Sequence, residues 1–316
     1  MTLRKLHKES LTAERATISH LLGEARGVND IVGVMQFESR LAEIDRELNE
    51  LASLNITRAA VAMYFGGPKV IGMHGIDADF ASSVIGNFQD MVSKSFTAME
   101  IGDIGSRGPV PFRAETNLMV TGVARGSFGF VLEELSDQSE AFATSLTVVV
   151  DNVASLIDEI ATSDEDAFAE RIASIDSRLI SASKKLFGTL SNAEATMRLV
   201  EGDREVNLGR AEVERGRRRT EFLEIEENPG VILTGLLLGL LPQHRRFEFQ
   251  LSSGEMISGA VASDASRAVN EQLIGQISNP IGKKWRAEFS VRTVARRGMP
   301  SRTYYTLIRL HSELSQ

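Results

Sequence analysis

The sequence predicts an α+β chain in three parts: a helical hairpin over 1–55, a mixed α/β body over 56–219, and a small basic β-barrel over 220–316. Three observations predict it. An apolar seam at helical spacing opens the chain, helical and strand-like periods alternate through its middle, and closely spaced β-prone segments end it. The body is expected to hold antiparallel hairpins and a long helix pair. The barrel is expected to have five strands in an OB-like or SH3-like order.

Phe37, Leu41, Ile44, Leu48 and Leu51 follow Val34 with intervals of three and four, the a/d pattern that keeps one helix face apolar. Glu38, Arg40, Glu43, Asp45, Arg46, Glu47 and Glu50 lie between them as a solvated face. Leu11, Ile18, Leu21, Leu22 and Ala25 define a partner helix that stops near Gly27, and Asn29 and Asp30 can cap the next one. The seam closes either on its own chain, as a hairpin, or on another copy, as a coiled coil. Phe37, Leu41, Ile44, Leu48 and Leu51 are therefore the candidate oligomerisation residues.

At Leu54 the period changes. Residues 58–65 are β-prone, Gly66-Gly67 is a turn signal, and a return strand is expected over 69–74. A helix follows with Asp77 or Asp79 as its cap and Phe80, Val84, Ile85, Phe88, Met91 and Val92 on one face. Residues 102–117, with three glycines and two prolines, read as a long loop, which is more often functional than a short one. Strands are expected over 118–124 and 128–132. Helices at about 138–161 and 165–187 should pack as an antiparallel pair, and a hairpin turning at Gly202-Asp203 precedes a charged helix near 210–219.

The barrel segments are 220–226 and 231–241 (one bent strand or two), then 245–251, 255–262, 285–296 and 302–310. Residues 263–275 read as a helix before the fourth strand, the OB-type position. The apolar run Gly230–Leu241 covers 12 residues, whereas a membrane helix needs about 20. It reads as a buried strand, and the chain as soluble and cytoplasmic. With 42% hydrophobic and 25% charged residues the chain can bury a core.

Charge is segregated. The net charge is −8, yet residues 231–316 carry 11 Lys and Arg against 6 Asp and Glu. Lys283, Lys284, Arg286, Arg292, Arg296, Arg297, Arg302 and Arg309 are the candidate binding residues, interleaved with Trp285, Phe289, Tyr304 and Tyr305. Such a mixture can hold a single-stranded nucleic acid, with cations on phosphates and rings under bases. It can equally be an acidic-protein contact, or a barrel core with a solvated outer face.

Chemistry is less visible. The absence of cysteine excludes disulfides, Cys-ligated metals and a cysteine nucleophile. No Walker loop, dinucleotide fingerprint, GxSxG, HExxH or EF-hand pattern occurs. His74, Asp77 and Asp79 are the densest polar group, able in principle to hold a divalent metal or move a proton. An Asp before an apolar helical stripe is first of all a cap. No cofactor, resident metal or catalytic residue is expected. The leading expectation is a non-catalytic binding or assembly protein, a self-associating subunit or one with a protein partner and no membrane. Nucleic-acid binding through the barrel comes second, and an enzyme centred on His74, Asp77 and Asp79 third.

Overall fold

A computed structural model describes residues 4–53, 57–101, 108–124, 128–135, 143–173, 175–221, 223–241, 246–262, 280–296 and 299–313. The chain is α+β and divides into two compact units. One comprises residues 1–168 and 178–218, the other 169–177 and 219–316.

The first unit opens with helices α1 (Arg4–Gly27) and α2 (Ile31–Ser53). Their turn is built from backbone chemistry. Asn29 adopts φ 55°, a left-handed conformation Asn tolerates well, and the Asp30 amide reaches back to the Ala25 carbonyl at 2.9 Å. Asp30 then caps α2, its carboxylate accepting from the Gly33 amide at 3.0 Å. Ile44, Leu48 and Leu51 pack against Leu11 and Ile18 of the same chain.

Strands β1 (Ala60–Gly66), β4 (Met119–Ala124), β5 (Gly129–Glu133), β6 (Thr196–Glu201) and β7 (Arg204–Leu208) form an antiparallel sheet in the order β4-β5-β1-β6-β7. β1 is central and buried along its middle, which explains why Val61-Ala-Met-Tyr-Phe65 shows no alternation. The expected hairpin between 58–65 and 69–74 does not form. Both edges of β1 are taken by β5 and β6, so the segment after Gly67 folds on itself as the short strands β2 (Val70–Ile71) and β3 (Gly75–Ile76).

One sheet face is covered by the start of α1, where Leu6 packs with Ala60, Ala62, Tyr64, Val131 and Val200. Helix α4 (Ser145–Thr162) packs on β1, β6 and β7 and beside α3 (Ala78–Ile101). The second member of the expected helix pair is broken. Instead of one helix over 165–187 there are α5 (Glu165–Ala173) and α6 (Ser177–Asn192), and the Ile175 amide closes a turn onto the Ile172 carbonyl at 3.4 Å. The apolar spacing of Phe168, Ile172, Ile175 and Leu179 runs through the break, so it gives no warning. The break falls within residues 169–177, which belong to the second unit. Helix α7 (Arg210–Glu221) completes the helical set among the described residues.

The second unit is a closed barrel of β8 (Leu223–Leu241), β9 (Arg246–Leu251), β10 (Met256–Val261), β11 (Lys284–Arg296) and β12 (Met299–Glu313). The two first β-prone segments are one bent strand. β8 carries an irregularity at Pro229-Gly230, where Gly230 takes φ 75° and the register against β11 shifts. Numbered within the barrel, its strands follow the closed order 1-2-3-5-4, with the third and fifth parallel and the other pairs antiparallel. The parallel closure makes this a mixed five-stranded barrel. The helix expected over 263–275 lies outside the described residues. Phe247, Phe249, Trp285, Phe289, Leu237 and Leu307 fill the interior, each large side chain contributing about 1.5–3 kcal/mol by burial.

Candidate functional site

The alternation of β11 sends its aromatics inward. Trp285 and Phe289 are buried, as are Phe247 and Phe249, and the Trp285 indole N–H donates to the Pro280 carbonyl at 2.9 Å. These rings are core and offer no stacking surface. Tyr305 is half-buried against the same core, and the Tyr304 hydroxyl donates to the Ala169 carbonyl at 3.4 Å.

The basic residues divide into two groups. Lys283 pairs with Glu313 at 2.8 Å, and Arg292, its side chain 12% exposed, pairs with Glu227 at 3.3 Å. The start of β8, which carries Glu224, Glu226 and Glu227, runs beside the end of β11, so the acidic run sits against part of the basic one. Lys284, Arg286, Arg302 and Arg309 are exposed. Lys284 and Arg286 lie beside Leu236 and Thr234 of β8, and Arg309 lies opposite Glu288, whose carboxylate holds His311 at 2.9 Å. Arg296 ends β11, and Arg297 lies outside the described residues. Of the eight residues, Lys284, Arg286, Arg302 and Arg309 therefore stand exposed on β11 and β12, with Glu288 among their neighbours.

His74, Asp77 and Asp79 do not converge. Asp77 caps α3 by accepting from the Phe80 amide at 3.0 Å, and its other oxygen accepts from Lys69 at 2.8 Å. Both interactions hold its carboxyl below the usual range. His74 and Asp79 are exposed. Among the described residues no group of three His, Cys, Asp or Glu could hold a metal ion. The described end of the long loop, residues 108–117, is tied to α3. Gln89 donates to the Thr116 carbonyl at 2.7 Å, Ser93 and Thr116 share a hydrogen bond at 2.8 Å, and Thr97 donates to the Pro111 carbonyl at 2.9 Å.

Phe37 and Leu41 are half-buried, whereas Ile44 and Leu51 are buried in the hairpin. Other apolar side chains of the hairpin stand in solvent. Val28, Ile31, Val32 and Met35 at its turn are 76%, 74%, 65% and 68% exposed. Sequence reasoning passed over them, although the signal was present: Ile31, Val32 and Met35 are out of phase with the seam that begins at Val34.

Sequence reasoning also missed a carboxyl pair. Glu201, at the end of β6 and 5% exposed, hydrogen-bonds Asp151 of α4; burial, then the Asp151 charge, push its pKa up to about 7. Arg204 donates to Asp151 at 2.8 Å. Beside it, Glu205 is drawn down to about 2 by hydrogen bonds from Arg198, Lys5 and Asn207. No helix among the described residues is long and apolar enough to cross a membrane. Comparison with protein families, curated proteins and solved structures finds no match for the chain.

Proposed function

We propose that the chain is a non-catalytic binding and assembly protein whose hairpin tip docks a partner protein. The observation that carries this reading is the exposed cluster of Val28, Ile31, Val32 and Met35. Two of these residues begin α2 and one precedes it, so the turn itself presents them. Four neighbouring large apolar side chains held in water are costly unless something covers them. The tip is built rigidly: Asp30 caps α2, and Arg26 bonds Glu38 across the hairpin at 2.7 Å. A preorganised apolar knob loses little conformational freedom on docking.

Cross-linking in source cells, followed by mass spectrometry, tests the reading. A partner should cross-link near residues 24–38 in the wild-type chain and be lost in the Ile31→Glu/Met35→Glu variant, whose helix content stays unchanged. Equal recovery with both chains contradicts it.

A second reading is nucleic-acid binding through the barrel. It is supported by the exposed Lys284, Arg286, Arg302 and Arg309 and by the closed five-stranded barrel. The buried rings and the Glu227 and Glu313 pairs weigh against it. Phosphate contacts would weaken steeply with salt, so a low-salt mobility assay with single-stranded DNA and RNA separates the two. The assembly reading expects no shift.

A further inference from the structure

The two edges of the five-stranded sheet are treated differently. β7 carries Arg204 and Glu205, and α1 reaches over its turn, Lys5 pairing with Glu205 at 2.7 Å and Arg4 with Asp203 at 3.2 Å. Charged side chains and cover of this kind discourage further strand addition. Among the described residues the other edge, β4, has neither. From Asn117 to Ala124 there is no charged residue and no proline. Met119, Val120 and Val123 are 46%, 50% and 59% exposed. β4 pairs with β5 on one side, and among the described residues no strand pairs with it on the other.

We infer that β4 is the site at which two copies of this chain join, antiparallel and about a twofold axis, to make one continuous ten-stranded sheet. This deepens the assembly reading by naming the self-association surface; the hairpin tip remains the surface for the other partner. The outer edge of β4 presents backbone N–H and C=O groups, so its occupant must be an extended strand. The uncharged segment Met119-Val-Thr-Gly-Val-Ala124 can face itself without like-charge repulsion, the condition a twofold pairing imposes.

The side chains agree with the backbone. Val120 lies opposite Leu132 and Val123 opposite Phe130, so both continue the apolar layer of β5 to the open edge. With Val120 set against Val123 of the second copy, and Thr121 against Gly122, each half-exposed valine gains an apolar neighbour on the same sheet face. The bulge between Val120 and Gly122 is the one blunting device on this edge. It disrupts the ladder at Thr121, so the pairing is carried by Met119-Val120 and Val123-Ala124 on either side of it.

Sedimentation equilibrium on the full chain tests the inference. The wild type should have twice the mass of one chain. Val120→Lys and Val123→Lys should each weaken association by roughly tenfold or more, because each sets a charge against an apolar neighbour. Both positions are exposed, so far-UV circular dichroism and Tm should stay near wild type. As the chain has no cysteine, Thr121→Cys offers one reactive thiol, and a short bismaleimide should join two copies. A dimer indifferent to both lysines overturns the strand pairing while leaving the assembly reading intact. Failure of Thr121→Cys to cross-link, or a wild type at the mass of one chain at every concentration, also overturns the pairing. In those cases the hairpin-tip variant still tests the assembly reading independently.

Discussion

Glu201 shows how one residue can work against the fold that holds it. Its carboxyl is buried beside Asp151 and keeps its proton to a pH of about 7, against 4.5 for an unhindered glutamate. Below pH 4.5 folded and unfolded chains are both protonated there. Between 4.5 and 7 the unfolded chain releases the proton while the folded chain keeps it, so stability falls as pH rises. The shift corresponds to about 3 kcal/mol of destabilisation above pH 7. Glu201→Gln keeps a donor for Asp151 and cannot ionise. It should raise Tm relative to wild type at pH 8, with the difference vanishing near pH 4.5; equal melting of the two chains at pH 8 would refute this. Gly259 is a second residue-scale constraint: a Cβ there would meet the Tyr305 carbonyl across the parallel pair of β10 and β12. Gly259→Ala should cost about 1–3 kcal/mol, readable as a lower urea midpoint.

Among the elements, those specified locally were legible. The α1–α2 hairpin follows from its spacing and caps, the strands flanking Gly202-Asp203 follow from their turn, and the barrel strands follow from alternation. What the sequence could not convey was pairing at a distance. β1 is followed by a glycine pair that reads as a hairpin turn, yet its partners are β5 and β6, supplied by segments some 65 and 135 residues further on. The break between α5 and α6 was equally hidden, because Phe168, Ile172, Ile175 and Leu179 keep helical spacing through it. The exposed barrel arginines could be placed on their strands from alternation. The pairing of Arg292 with Glu227 and of Lys283 with Glu313 could not, since it depends on which strand lies beside β11. At this scale Ile44→Ala should cost about 2–5 kcal/mol, because Ile44 is fully buried within the hairpin. The loss should appear as reduced helical signal and faster amide exchange in α1 and α2.

For the whole molecule, the proposed contact surfaces are two exposed apolar features of the first unit. The hairpin tip and the β4 edge are apolar, preorganised and exposed, while the residues that resembled a catalytic group are a helix cap and its solvated neighbours. Candidate sites read from sequence favoured charge, because clusters of arginine or histidine stand out in a row of letters. Val28, Ile31 and Val120 resemble core residues until the fold leaves them 76%, 74% and 50% exposed. The central claim is that this chain works by assembling, and its mass in solution tests that most directly. Sedimentation equilibrium of the intact chain should give more than the mass of one chain, falling toward it when β4 carries Val123→Lys. One-chain mass at every concentration, with no partner captured through the tip, would contradict the account.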